Sequence, residues 1–276
     1  MSSALRLGVS SAAYARPLVR GLAEQSALFD LHHDIPAQLA YEMIEHTGKL
    51  QCAFLSPIDY ARHAGTFRIV PDCCAASSQP TGTVRLFIKS DASNIGRVAV
   101  DVRVTSDIVL AKIILSERFP NLPSGSSNVR FIPMVPGLPT MLQKADAALI
   151  GEAGLPIPRV SSAFHIDLVQ EWSDLTGLPY VHGMWVTEEG SLDHEHKKAL
   201  LGAKRSGVEE RQTLAAQLAQ EGYGSIEACR SYLGAFSYDL GDPERQALEE
   251  FIQYAFFYGV IPDAPELSFL ESPLRA

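Results

Sequence analysis

Along the first 70 residues, short apolar runs take turns with stretches that carry a helical repeat. Leu5–Ser10 is an apolar run too short for a helix, and it reads as a buried strand. A helix is then expected to open with Pro17, because a first helical turn does not need the N–H that proline lacks. Ala27–Leu31 reads as the second strand. Asp34 and Pro36 mark the next helix start, with Leu39 and Met43 four apart on one face and Gly48 at its end. Leu50–Leu55 predicts a third strand, and Ser56-Pro57 opens another short helix.

A second block with the same alternation begins near Thr83. Val84–Ile88 and Arg97–Val100 read as strands. Thr105-Ser106-Asp107 is expected to cap a helix whose Ile108, Ala111 and Leu115 form one stripe. Further strands are predicted at Val129–Pro133, Ala147–Gly151 and Tyr180–Val186, and helices over roughly 190–220, 225–235 and 243–258. Such alternation implies an α/β fold of mainly parallel sheets covered by helices. Two blocks with returning helices suggest two lobes and a ligand cleft between them. The crossings are expected near Thr81–Val84 and Val186–Gly190, giving a discontinuous lobe 1 (1–83 and 187–276) and a lobe 2 (84–186). Ligands in open α/β sheets sit beyond the carboxyl ends of the strands. That rule selects Ser10–Arg16, Ser56-Pro57, Thr105–Asp107 and Gly151-Glu152 as the facing segments.

Composition narrows the ligand. Among 276 residues, 23 are Lys or Arg and 32 Asp or Glu, a formal net charge of −9. That balance gives no electrostatic reason to expect nucleic acid or an anionic membrane surface as partner. A small anion remains compatible with it where backbone N–H groups converge at a helix start. The opening residues lead directly into a strand-like run rather than a secretory signal, and no stretch approaches the roughly 20 apolar residues of a membrane span. A cytoplasmic protein is expected. Its oligomeric state, monomer or homodimer, is left open, although Phe251, Tyr254, Phe256, Phe257 and Tyr258 form an aromatic group that would more often be core than interface.

Four cysteines, including the adjacent Cys73 and Cys74, have no zinc-like spacing and read as plain thiols. His32-His33-Asp34 and Asp193-His194-Glu195-His196 are the densest histidine groups; neither has the i, i+4 spacing of a helical zinc site, and no metal is expected. Nucleophile elbows and phosphate loops are missing as motifs. In Ser10–Arg16, small residues would let backbone N–H groups approach an anion, and Thr105–Asp107 repeats the arrangement in the second block, although capping alone would account for those residues.

Several segments resemble the chorismate dehydratase family. They run from Gly8-Val9 to Pro17-Leu18-Val19, through Leu55-Ser56-Pro57-Ile58-Asp59-Tyr60, Arg68–Asp72 and Thr83–Phe87, to Ala145–Gly151, Glu171-Trp172, Leu175–Pro179 and Trp185-Val186. Tyr238–Gly241 and Gly259–Pro262 complete a likeness that spans nearly the whole chain. The resemblance implies a type II periplasmic-binding-protein-like fold. It also implies loss of water from chorismate to give 3-[(1-carboxyvinyl)oxy]benzoate on the futalosine route to menaquinone, with no cofactor. By the same token it implies catalytic roles for Tyr14 and Thr83, and substrate-binding roles for Ser11, Arg16, Ser56, Thr105, Ser106 and Gly151. Two loops depart from the family pattern: Tyr14 stands where the family has Asn, and Val104–Asp107 stands where it reads Ser-Arg-Thr-Ser, so that the Arg is lost at Thr105, while Thr83 retains a hydroxyl where the family has Ser. Arg103 is close enough to replace the missing Arg. The departures keep a second reading in play, a binding or sensor protein for a small carboxylate that uses the same clamshell without chemistry.

Overall fold

Strand β1 (Leu5–Ser10) coincides with the predicted run and buries Leu5, Leu7 and Val9 on one face. The computed structural model describes residues 4–45, 50–92, 94–104, 106–119, 129–151 and 163–270. After β1 comes a 3-10 helix over Ala13–Val19 rather than a helix opening at Pro17, which lies inside it. Strand β2 (Phe29–Asp34) begins two residues later than predicted. Helix α1 (Pro36–Ile44) starts at its proline and buries Leu39 and Met43, while the predicted stop at Gly48 lies outside the described residues. Strand β3 (Cys52–Leu55) leads into α2 (Pro57–Ala61).

The long strand β4 (Phe67–Ser77) follows, interrupted at Asp72, which has φ 65°. Cys73 and Cys74 point to different cores on its two faces, as alternation along a strand requires. The chain then crosses to a second sheet with β5 (Val84–Lys89), β6 (Arg97–Asp101), α3 (Asp107–Arg118), β7 (Arg130–Met134), α4 (Leu138–Lys144), β8 (Ala147–Gly151), β9 (Ala163–Asp167) and α5 (Leu168–Thr176). It returns with β10 (Tyr180–Glu188), followed by α6 (His194–Glu209), α7 (Arg211–Gln220), α8 (Ile226–Gly234) and α9 (Asp242–Phe257).

Each sheet has five strands, ordered β2-β1-β3-β10-β4 and β7-β6-β8-β5-β9. The sheets are mixed rather than mainly parallel. Pairs β1–β2, β1–β3, β6–β7 and β6–β8 are parallel, whereas β10 runs antiparallel to β3 and β4, and β5 antiparallel to β8 and β9. The first crossing between the sheets lies between β4 and β5. The second lies between α5 and Tyr180, because the whole of β10 pairs within the first sheet; the return expected near Val186–Gly190 is therefore displaced upstream.

The aromatic group near the C-terminus divides. Phe251 is core, while Phe256 and Phe257 are exposed at 46% and 76%. Among the described residues, no helix is long and apolar enough to cross a membrane.

Candidate functional site

The carboxyl ends of β1, β6 and β8 and the segments after them converge on a cavity of about 110 Å³. The first sheet and its connections contribute Ser10, Ser11, Ala12, Tyr14, the start of α1 from Ile35 to Ala37, and His182 from β10. Lobe 2 contributes Val84, Arg103, Val104, Ser106, Asp107 and Gly151, with Thr83 at the crossing. This is the place a ligand takes in an open α/β sheet.

The loop after β1 is held by its own backbone. Ser11 N–H donates to the Asp34 carbonyl at 3.2 Å, and Ala12 N–H donates to the Ser10 hydroxyl at 3.2 Å. The tight 3-10 turn that follows swings Tyr14 inward, 9% exposed, against Phe236 at 5.5 Å and His182 at 5.0 Å between ring centroids. At the crossing, the Thr81 and Thr83 hydroxyls lie 2.6 Å apart, and Gly82 N–H donates to the Asp167 carboxylate at 2.6 Å.

In lobe 2, β6 ends on the buried Asp101. Its carboxylate accepts from Arg103 Nε at 2.9 Å and Nη2 at 2.6 Å, and from the Arg103 backbone N–H at 3.0 Å. A fork fixed in this way presents the guanidinium at the cleft with little rotamer freedom left to lose. Ser106 precedes α3 in helical geometry (φ −67°, ψ −34°) and its side chain makes no capping bond; of the segment expected to cap this helix, Thr105 lies outside the described residues. Asp107 lines the cleft. Gly151 is required here, since a Cβ at that position would stand 2.1 Å from Val104 Cγ1 and 2.7 Å from Asp107 Oδ2.

The structure thus brings together Ser11, Tyr14, Thr83, Ser106 and Gly151. Thr105 and Glu152 lie outside the described residues. Two expected binding residues stand elsewhere. The guanidinium of Arg16 is turned away by the 3-10 helix and pairs with Glu221 on the far side, over the ring of Tyr223. Ser56 is buried as the N-cap of α2; it accepts from Asp59 N–H at 3.3 Å and donates to the Asp59 carboxylate at 2.6 Å. Burial raises the pKa of that carboxyl, against the opposing pull of the Ser56 bond.

His182 was not among the residues selected from sequence. Burial lowers its pKa to about 3, so the imidazole is neutral at pH 7. Away from the cleft, His32, Asp34 and Glu42 bring possible ligand atoms within 4.8 Å of one another. These side chains already have partners, with His32 Nε2 3.1 Å from the Glu42 carboxylate and Nδ1 3.5 Å from Arg6 Nη2.

Among solved structures, the chain is similar to a protein from Archaeoglobus fulgidus, with TM-score 0.72 and 17% identity over 94% of this chain and 99% of that one. It is also similar to the alkanesulfonate-binding protein of Xanthomonas axonopodis pv. citri bound to MOPS, with TM-score 0.62, 12% identity, and coverage of 95% and 96%. A Candida albicans gene product with the generic periplasmic binding protein fold matches with TM-score 0.61, 12% identity, and 99% of both chains. At these identities the likeness concerns the fold, a two-lobed periplasmic-binding-protein-like architecture. The family model described as menaquinone biosynthesis matches residues 5–256, nearly the whole chain. By that match the protein belongs to the menaquinone biosynthesis family, the family of the chorismate dehydratases.

Proposed function

We propose that the protein is a hydro-lyase that removes water from chorismate to give 3-[(1-carboxyvinyl)oxy]benzoate, in the cytoplasm, on the futalosine route to menaquinone. The observation that carries this reading is a cleft lined by hydroxyl groups and one fixed guanidinium, in a member of the menaquinone biosynthesis family. The elimination is redox-neutral. A ring C–H proton and the ring hydroxyl leave together as water, and the electron pair of the C–H bond completes an aromatic ring. No cofactor is needed for that balance, and a carboxylate of the substrate can carry the proton.

What remains for the protein is to hold two carboxylates, orient the C–H bond and exclude water. Arg103, the Ser11 and Ser106 hydroxyls and the start of α3 supply the polar contacts for the carboxylates. Tyr14 and Thr83 stand at the junction of the two walls, where the ring would lie. Thr105 lies between Val104 and Ser106 in the sequence and is assigned to binding with them. Gly151 serves by leaving room.

Incubation of purified protein with chorismate, followed by chromatography, tests the reading. Product should form well above the spontaneous background, and Tyr14→Phe should slow it. Absence of product above background overturns the proposal.

A further inference from the structure

His182 lies in a strand whose other buried residues, Thr187 apart, are apolar or aromatic, and a local irregularity re-aims it. In the pairing of β10 with β4, Val181 opposes Ala76 while Gly183 opposes Ala75, so His182 is the extra residue of a β-bulge. On the other side, pairing with β3 begins only at Met184. Bulges leave one residue outside the ladder and turn its side chain. Because β10 runs antiparallel to β3, this end of the strand is the cleft end. Gly183 makes the bulge possible: a Cβ there would stand 2.4 Å from Phe54 Cε1 and 2.9 Å from the Leu55 carbonyl oxygen.

The bulged imidazole lines the cleft while remaining 6% exposed, and its Nε2 is buried with no hydrogen-bond partner among the described residues. Rings surround it, with Tyr180 at 4.9 Å, Tyr14 at 5.0 Å and Phe236 at 5.2 Å between centroids. A buried polar atom without a partner lowers stability by about 1–3 kcal/mol, a cost that persists where function uses the group. An aromatic residue would fill the same space without that cost.

We propose that His182 is a binding residue of the cleft, whose imidazole takes the neutral hydroxyl of a cyclic hydroxy acid while lobe 2 takes the carboxylate. The proposal rests on the dehydratase reading for the identity of that hydroxyl, the ring hydroxyl that departs as water. A neutral imidazole has one donor and one acceptor nitrogen, which matches a hydroxyl. A wall of three aromatic rings suits the ring that bears it better than it suits a second carboxylate. His182 keeps its own proton throughout; it orients the leaving oxygen, and the departing proton still comes from the ring C–H.

The test compares wild type with His182→Phe, which keeps ring volume, and His182→Gln, which keeps a donor and an acceptor. Three readouts are needed: chorismate turnover, affinity for 4-hydroxybenzoate against benzoate, and the ring nitrogen resonances of His182 during those titrations. Wild type should favour 4-hydroxybenzoate about tenfold and move the His182 resonances. His182→Phe should lose that preference and about tenfold in kcat/KM with its Tm unchanged or raised, and His182→Gln should recover part of both. If His182→Phe keeps kcat/KM and the hydroxyl preference, or wild type shows no such preference, the inference is overturned and the dehydratase reading stands on its turnover alone. If wild type prefers the hydroxylated acid through His182 yet leaves chorismate intact, the dehydratase reading falls and the binding role stands.

Discussion

The Tyr238 hydroxyl donates to the backbone carbonyl of Tyr14 at 3.0 Å, so a residue near the end of the chain fixes the first loop of the cleft. Both groups are buried, and Tyr14 lies in the 3-10 helix over Ala13–Val19, where the residue three further on, Pro17, has no N–H to offer its carbonyl. Tyr238→Phe leaves the carbonyl without this partner and should lower stability by about 1–2 kcal/mol. Thermal unfolding measures that change. Because Tyr14 rides on the same peptide, kcat/KM for the proposed substrate should fall by more than the loss of folded protein accounts for.

Gly151→Ala should injure the cleft more than the fold. The added methyl meets Val104 Cγ1 and Asp107 Oδ2, both of which belong to the segment leading into α3. Overpacking of this kind costs about 1–3 kcal/mol. The segment can yield toward the cavity, so folded protein should remain, with a Tm lower by several degrees. Its kcat/KM should drop at least tenfold, as expected when positioned groups are displaced.

Strands β2 and β3 of the parallel part were legible because each is followed by a helix with its own start signal. Pro36 opens α1 and Ser56 caps α2 by the chemistry their residue types imply. The antiparallel strands were not legible in the same way. Phe67–Ser77 contains Pro71 and, at Asp72, a left-handed backbone that its residue type does not announce, and β10, buried along almost its whole length, carries no sign of its direction or its sheet. Helix α5 did leave a signal: Asp167 accepts from Val169 and Gln170 N–H, and an Asp followed three residues later by Gln is a helix-start pattern. In the cleft, the strand-end rule located Ser11, Tyr14, Ser106 and Gly151. It misplaced Arg16, because a 3-10 turn advances fewer residues per turn than an α-helix and rotates that side chain outward. It omitted His182, because a bulge is a property of pairing between distant strands.

Two arginines separate cleft from scaffold. Arg16 pairs with the half-exposed Glu221, and Arg16→Ala should cost under about 1 kcal/mol. Its effect on KM should stay within about twofold. Arg103→Ala removes the guanidinium proposed to meet a carboxylate, and the loss of a charge-assisted contact predicts roughly a tenfold or greater rise in KM. It also leaves the buried Asp101 carboxylate short of three donor contacts, so its Tm should fall as well. Arg103→Lys should recover charge without the fork and lie between the two. Equal KM values for Arg16→Ala and Arg103→Ala would contradict the assignment of Arg103 to the binding wall.

His182 also predicts how stability depends on pH. Burial among Tyr14, Tyr180 and Phe236 holds its folded-state pKa at about 3, whereas an unfolded chain titrates its histidines near 6.5. Below about pH 6.5 the unfolded state therefore binds a proton that the native state refuses, and stability falls as pH falls toward 3. At pH 5 the difference is about 2 kcal/mol, since each pH unit below the unfolded pKa contributes about 1.4 kcal/mol. Other groups add their own slopes, so the comparison is between wild type and His182→Phe rather than between two pH values alone. Denaturant unfolding at pH 7 and pH 5 should show His182→Phe losing about 2 kcal/mol less than wild type over that interval. An equal loss in both proteins would mean that the imidazole takes up its proton in the folded state, in contact with water or an acidic partner, and is not the neutral group the cleft wall requires.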